Sequence, residues 1–155
     1  MKGQSLTDNI IIRHVLPEEV IDAARIEKSS LSVPWSESEL TLFLKNPAGI
    51  YLAAFSAGEM AGVCGCYAGA GECQITNIAV LAEYRRRGIA YALISRLLSE
   101  AKERGCVKAF LEVAENNIAA IRLYEKIGFK AIGRRPRYYK EADAINMTLE
   151  DICIF

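Results

Sequence analysis

Gln74-Ile-Thr-Asn-Ile-Ala-Val80, followed by Glu83-Tyr-Arg-Arg-Arg-Gly-Ile-Ala90 and the apolar run beyond, reads as strand, turn and helix start. Ile75, Ala79 and the β-branched residues between them suit a buried strand. From Ile89 onward, Leu93, Ile94, Leu97, Leu98 and Ala101 fall on one helical stripe. The joining turn sets three arginines and a glycine where the first backbone N–H groups of the helix have no partners. Those donors, the positive end of the helix dipole and the guanidinium charge together make an anion site. Gly88 carries no side chain to hold a phosphate off the backbone. A solvated charge run is the plain alternative, but cations at a helix start oppose the dipole, and three of them point to an anionic ligand. The turn is built for a phosphate.

Composition narrows the rest. The 155 residues are enough for one domain with a full core and too few for two ordinary ones, so the expectation is a single domain over 1–155. Charge is balanced at 19 basic and 19 acidic residues, so no global field draws the chain to nucleic acid or to an anionic membrane. The five cysteines (Cys64, Cys66, Cys73, Cys106, Cys153) include no C-x-x-C pair, and His14 is the only histidine, so no metal is expected. Free thiols and no signal peptide place the expected compartment in the reducing cytoplasm. No apolar run is long enough to span a bilayer.

Working outward, Met1–Asp8 reads as a lead-in and Ile10–Val15 as a first strand. Pro17-Glu18-Glu19 starts a helix to about Ser29. Ser36 and Glu39 form a capping box for a second helix, Glu37 to Lys45. Strands are expected at Ile50–Ala57, Met60–Ala68 and Glu72–Val80, then the long helix closed by Gly105, then a strand Val107–Val113. Asn116-Asn117 caps a helix through Ile127, and Lys130–Arg137 with Ala144–Leu149 make a final strand pair. The order β-α-α-β-β-β-α-β-α-β-β gives a mixed α/β sheet with a right-handed β-α-β crossover. These arguments leave several strand orders open.

No G-x-G-x-x-G and no G-x-x-x-x-G-K-[ST] is present. What is present is Arg85-x-x-Gly88-x-Ala90 after a strand, and Leu111-Glu-Val-Ala-Glu-Asn-Asn-Ile-Ala-Ala-Ile-Arg-Leu-Tyr-Glu-Lys-Ile-Gly-Phe129 downstream. The first resembles the pyrophosphate loop of the GNAT acetyltransferase superfamily, [Gln/Arg]-x-x-Gly-x-[Gly/Ala]. The second resembles that superfamily's L-E-V-x-x-x-N-x-x-A-x-x-L-Y-x-x-x-G-F. Within it the chain looks most like the ribosomal-protein alanine N-acetyltransferase (RimI) type, from about Ile10 to Leu149. The resemblance implies the acyl-CoA N-acyltransferase fold, with its sheet splayed between the fourth and fifth strands and acetyl-CoA as cosubstrate. It implies cofactor contacts from Ile78, Ala79 and Val80, from Arg85, Arg86, Arg87, Gly88, Ile89, Ala90 and Tyr91, and from Asn117.

Acetyl transfer to an amine sets its own demands. A free α-amine has a pKa of ~7.7–8.0 and is mostly protonated at neutral pH, so a base must take its proton. Glu112, an acid in an apolar strand, is the candidate and matches the general base of the RimI type; the plain alternative is a carboxylate turned to solvent while Leu111 and Val113 face the core. Tyr124 matches the general acid that protonates the departing thiolate, though an aromatic spaced with Ile121 and Ile127 also suits a core. By the same resemblance, the backbone at Ile78–Val80 would hold the oxyanion. Asn117 reads equally as an N-cap.

Val33-Pro-Trp-Ser36 resembles the turn that borders the acceptor groove, giving Trp35 and Ser36, and Tyr138-Tyr139 match paired tyrosines on its other side. A loop cluster and a strand end are the plain readings of those residues. Ala114 in place of arginine, Leu81-Ala82 in place of Asp-Pro and Ala90 in place of glycine depart from the pattern without removing an assigned group. The expected activity is acetylation of a protein N-terminal amine, that of a ribosomal protein, by direct attack, in a monomer or weak homodimer. No cysteine occupies a nucleophile position of the motif. Acetylation of a small amine (a polyamine, an amino acid or an antibiotic) and non-catalytic acyl-CoA sensing are the competing readings. The apolar end, Asp151–Phe155, is expected to pack or associate.

Overall fold

The computed structural model describes residues 9–139 and 142–152. The expected lead-in, Cys153 and most of the apolar end lie outside the described residues, as does the side chain of Tyr139. The strands are β1 Ile10–His14, β2 Gly49–Ser56, β3 Glu59–Gly69, β4 Glu72–Val80, β5 Lys108–Ala114, β6 Lys130–Tyr139 and β7 Ala142–Leu149. The helices are α1 Val20–Ser30, α2 Glu37–Lys45, α3 Ile89–Glu103 and α4 Ile118–Ile127. The order of elements is the one the sequence predicts. One boundary differs in kind: Pro17–Glu19 is a 3-10 turn ahead of α1 and not its first turn. Glu19 folds its carboxylate back onto the Leu16 amide at 2.9 Å and onto both terminal nitrogens of Arg13 at 2.8 Å, which tightens that turn.

The seven strands form one sheet in the order β1-β2-β3-β4-β5-β7-β6. All neighbours are antiparallel except β4 and β5, which the α3 crossover makes parallel. On one face, α3 presses Ile89, Leu93, Ile94, Leu97 and Leu98 onto Ile50, Leu52, Cys64 and Cys66, and α4 adds Tyr124 and Ile127. Each such side chain contributes about 1.5–3 kcal/mol by leaving water. The opposite face of β2, β3 and β4 carries Tyr51, Ala53, Val63 and Ala79 beneath α1 and α2. Successive side chains on a strand point to opposite faces, so these two sets alternate along the same strands. Ile152 is fully buried in the α3 layer, and its amide donates to the Val107 carbonyl at 2.9 Å.

Candidate active site

β4 and β5 pair only through Glu72, Cys73 and Gln74 opposite Lys108, Ala109 and Phe110. Beyond that, β4 runs on to Val80 and β5 to Ala114 without pairing to each other, so the sheet splays where the sequence resemblance implies. The departure starts at a bulge: the β3 register shifts between Gly65 and Cys66, and Thr76 is the residue left over. In the antiparallel pairing with β3, alternate amides of β4 point away from β3, into the gap.

The arginine turn follows directly. A 3-10 turn at Ala82–Tyr84 leads into Arg85, then Arg86 and Gly88 both take left-handed backbone, at φ 63° and 77°. Gly88 is the N-cap of α3, and no side chain caps that first turn, so its leading amides stay open to a ligand. The left-handed region costs a residue with a side chain roughly 1–2 kcal/mol, which Gly88 avoids and Arg86 bears. Arg85 does not extend freely: its Nε donates to the Val80 carbonyl at 3.1 Å and braces the loop against the splayed strand. The Arg87 guanidinium lies 5.4 Å from the centre of the Tyr84 ring. Among the described residues none of the three arginines pairs with a carboxylate, so their charge stays available to a phosphate. Ile89 is buried, Ala90 half-buried and Tyr91 exposed at the head of the helix.

Glu112 sits where alternation puts it. Leu111 and Val113 enter the α3 core, and Glu112 faces the other side, half-buried. There it lines a cavity of about 350 Å³ with Gln74, Phe110, Ile132, Asn146 and Thr148. Its carboxylate is held by Arg135 at 3.3 Å. The neighbours are core, and the acid faces an open cavity instead of free solvent. Tyr124 lies on the opposite side, 5 % exposed, its ring edge-on to Phe129 at 5.9 Å. Asn117 is the N-cap of α4, accepting from the Ala120 amide at 3.2 Å.

The acceptor-side residues divide. Trp35 is half-buried: it packs edge-on to Phe43 at 4.8 Å and near Tyr67 at 6.5 Å. The Ser36 hydroxyl is taken up in capping α2, where it accepts from the Glu39 amide at 3.2 Å. Tyr138 is exposed on β6, with the Arg135 guanidinium 4.6 Å from the centre of its ring. Tyr139 pairs through its backbone with Ala142.

One group escaped the sequence reading. Glu27 of α1 is fully buried, and its carboxylate accepts from three donors: the Trp35 amide at 2.9 Å, the Tyr51 hydroxyl at 2.5 Å and the Asn77 side-chain amide. Burial raises its pKa above the ordinary carboxylate range, and the three donors act against that shift. Burial and the adjacent carboxylate also raise the Tyr51 pKa, which keeps the phenol protonated as a donor. A signal was present: Val20, Ala23, Ala24 and Glu27 lie at helical spacing on one stripe, so the acid stands at an apolar position. Cys64, Cys66, Cys73 and Cys106 are free and buried, and burial pushes the thiols of Cys64 and Cys106 upward, away from the reactive thiolate. Among the described residues no helix is long and apolar enough to cross a membrane, and no cluster of three or more His, Cys, Asp or Glu could hold a metal ion.

A sheet opened beside an uncapped, arginine-flanked helix start is the arrangement that the resemblance to the acyl-CoA N-acyltransferase class implies. The Acetyltransferase (GNAT) family model matches residues 20–129, and the chain belongs to that family: it is an acetyl-CoA-dependent N-acetyltransferase. It is 36% identical over 138 residues to the [ribosomal protein bS18]-alanine N-acetyltransferase of Salmonella typhimurium, covering 82% of this chain and 88% of the relative. The crystal structure of the corresponding Escherichia coli enzyme superposes with a TM-score of 0.84 at 31% identity, over 90% of this chain and 92% of that one. The acetyltransferase fold of yncA from Salmonella typhimurium, solved with its cofactor acetyl-CoA, matches with a TM-score of 0.78 at 16% identity, over 92% and 94% of the two chains.

Proposed function

We propose that this chain acetylates the N-terminal α-amine of a protein, a ribosomal protein of the kind its relatives are named for. The observation that carries this reading is the 36% identity to a ribosomal-protein alanine N-acetyltransferase across 82% of the chain, a span that takes in the loop, β5 and α4 together. The geometry supports it. Phosphate oxygens of acetyl-CoA fit the open amides of 88–91 and the guanidinium groups of Arg86 and Arg87, with Arg85 bracing the loop. Bound there, the cosubstrate supplies an activated thioester carbonyl at the splay.

Glu112, facing the side of the sheet away from α3 and α4, takes the proton of the incoming amine. The gap-facing amides of Ile78–Val80 are preorganised donors for negative charge at the carbonyl oxygen. Tyr124 gives its proton to the departing sulfur, and Asn117 joins the cofactor contacts from the start of α4. Trp35 and Tyr138-Tyr139 border the acceptor. Base and acid on separate elements let one deprotonate the nucleophile while the other protonates the leaving group, with no covalent enzyme intermediate. The whole chain, 1–155, acts as one domain in the cytoplasm, as a monomer or weak homodimer.

The test is a panel of N-terminal peptides, one with an alanine start from a ribosomal protein, run against polyamines, amino acids and aminoglycosides with acetyl-CoA. Mass spectrometry should locate the acetyl group on the peptide α-amine. Activity confined to the small amines would overturn the assignment.

A further inference from the structure

Glu27 lies outside the reacting groups but touches elements on both sides of them. Its Oε1 accepts from the backbone amide of Trp35, in the turn between α1 and α2. Its Oε2 accepts from the Tyr51 hydroxyl of β2 and from the Asn77 side chain of β4. Asn77 follows the bulged Thr76, whose hydroxyl donates back to Asn77 Oδ1 at 2.6 Å. It immediately precedes Ile78–Val80. One carboxylate therefore fastens the acceptor-side turn and the bulge at which the sheet opens.

We propose that Glu27 is a positioning residue for the acceptor: its carboxylate sets the Trp35 turn against the splayed strand β4, and so fixes the peptide entrance relative to the thioester. This rests on the acceptor assignment given under the proposed function. The physical argument is one of donors and acceptors. Three N–H or O–H groups converge on one carboxylate, and no other side chain of that size offers two oxygens to three donors. Each donor belongs to a different element, so the bonds register α1, β2, β4 and the turn with one another. A buried amide deprived of its acceptor pays its full desolvation cost, so the turn settles in this place or leaves it altogether. Gly65 leaves room for the arrangement: a Cβ there would lie 2.7 Å from Asn77 Oδ1 and 2.9 Å from Tyr51 Cδ2.

The carboxylate is also a poor candidate for the base itself. It is fully buried, and all three contacts are with protein donors. Its action has to run through Trp35 and Asn77.

The experiment is Glu27→Gln. The amide keeps an oxygen for Tyr51 and Asn77 and turns an NH2 group against the Trp35 N–H, so the turn alone loses its acceptor. Trp35 is the only tryptophan in the chain, so intrinsic fluorescence reports that turn directly. Expected are a red-shifted emission with easier acrylamide quenching, a peptide KM raised about tenfold or more (the loss of one buried hydrogen bond,), and kcat and the acetyl-CoA KM within about threefold of the parent. Unchanged emission with an unchanged peptide KM would overturn the proposal, as would equal losses in both KM values and in melting temperature, which is what a merely structural role gives. If the variant does not fold, hydrogen exchange on the unmodified protein decides: the Trp35 amide should be protected at least about a hundredfold over that of Val33, and equal rates overturn it. Fluorescence and exchange need no turnover, so a failed acceptor assignment, seen as peptide inactivity of the parent, is told apart from a failure here.

Discussion

Arg135 Nη2 stands 3.3 Å from Glu112 Oε1, an ion pair that reaches from β6 to β5 across the intervening β7. The same guanidinium lies over the Tyr138 ring at 4.6 Å. A side chain absent from the motifs thus links the proposed base to one wall of the proposed acceptor entrance. The pair is partly exposed, so its worth is positional: it aims the carboxylate at the cavity and adds little stability.

Glu112→Gln should lower kcat by about 10²–10⁴-fold, the usual worth of a positioned general base. Tyr124→Phe, which keeps the ring against Phe129, should lower kcat by roughly tenfold or more through loss of the general acid. Calorimetric titration with coenzyme A should give near-parental affinity for both variants, since neither residue belongs to the arginine loop. Parental turnover in both would remove them from the mechanism.

Gly88→Ala places a side chain on a residue at φ 77°, a strain of about 1–2 kcal/mol. The loop can relieve it only by leaving the geometry that opens the first amides of α3. Coenzyme A affinity, measured by calorimetry, should fall by about tenfold. The far-ultraviolet circular dichroism should not change.

Gly65→Ala tests the packing around the buried carboxylate. The new methyl group would meet Asn77 Oδ1 at 2.7 Å, Tyr51 Cδ2 at 2.9 Å and Thr76 Oγ1 at 3.2 Å. Overpacking of this kind costs about 1–3 kcal/mol, read as a lower urea midpoint at unchanged slope. Gly69, also on β3, is the control for crowding, because no atom lies within 4 Å of a Cβ there and its backbone is not left-handed.

The pH dependence of stability follows from the raised pKa of Glu27. A carboxyl whose folded pKa lies above its unfolded value stabilises the fold fully below the unfolded pKa, near ~4.3, and that contribution is lost as pH rises through the folded value. Glutamine does not titrate. The stability of the parent relative to Glu27→Gln should therefore decline from pH 4 upward and level off above the folded pKa. Urea unfolding of both proteins across that range checks the slope; a difference that grows in the parent's favour would contradict it.

The local elements were legible because their causes are local. The stripe Leu93, Ile94, Leu97, Leu98 and Ala101 needs only helical periodicity, and each of these residues is buried in α3. The capping box of Ser36 and Glu39 and the Asn117 cap close within four residues, and both are present. The turn ahead of α1 differs from its sequence reading because Pro17-Glu18-Glu19 suits either helix type; in the fold it is a 3-10 turn whose Glu19 binds Arg13 and the Leu16 amide. The arginine turn suggests an anion site without any tertiary contact, since an uncapped helix start and fixed charge are properties of consecutive residues.

Consecutive residues therefore determined which segments are strands and helices, which of their faces are apolar, and which turn is proposed to take a phosphate. Only the tertiary structure decided that β7 lies between β5 and β6, that the Trp35 turn is fastened by Glu27, and that Arg85 braces Val80 while Arg135 reaches Glu112. Periodicity ranks side chains by their chance of burial and is silent on which donors converge at a buried acceptor. Glu27 and Asn77 are 50 positions apart, and only the closing of the sheet brings them into one hydrogen bond.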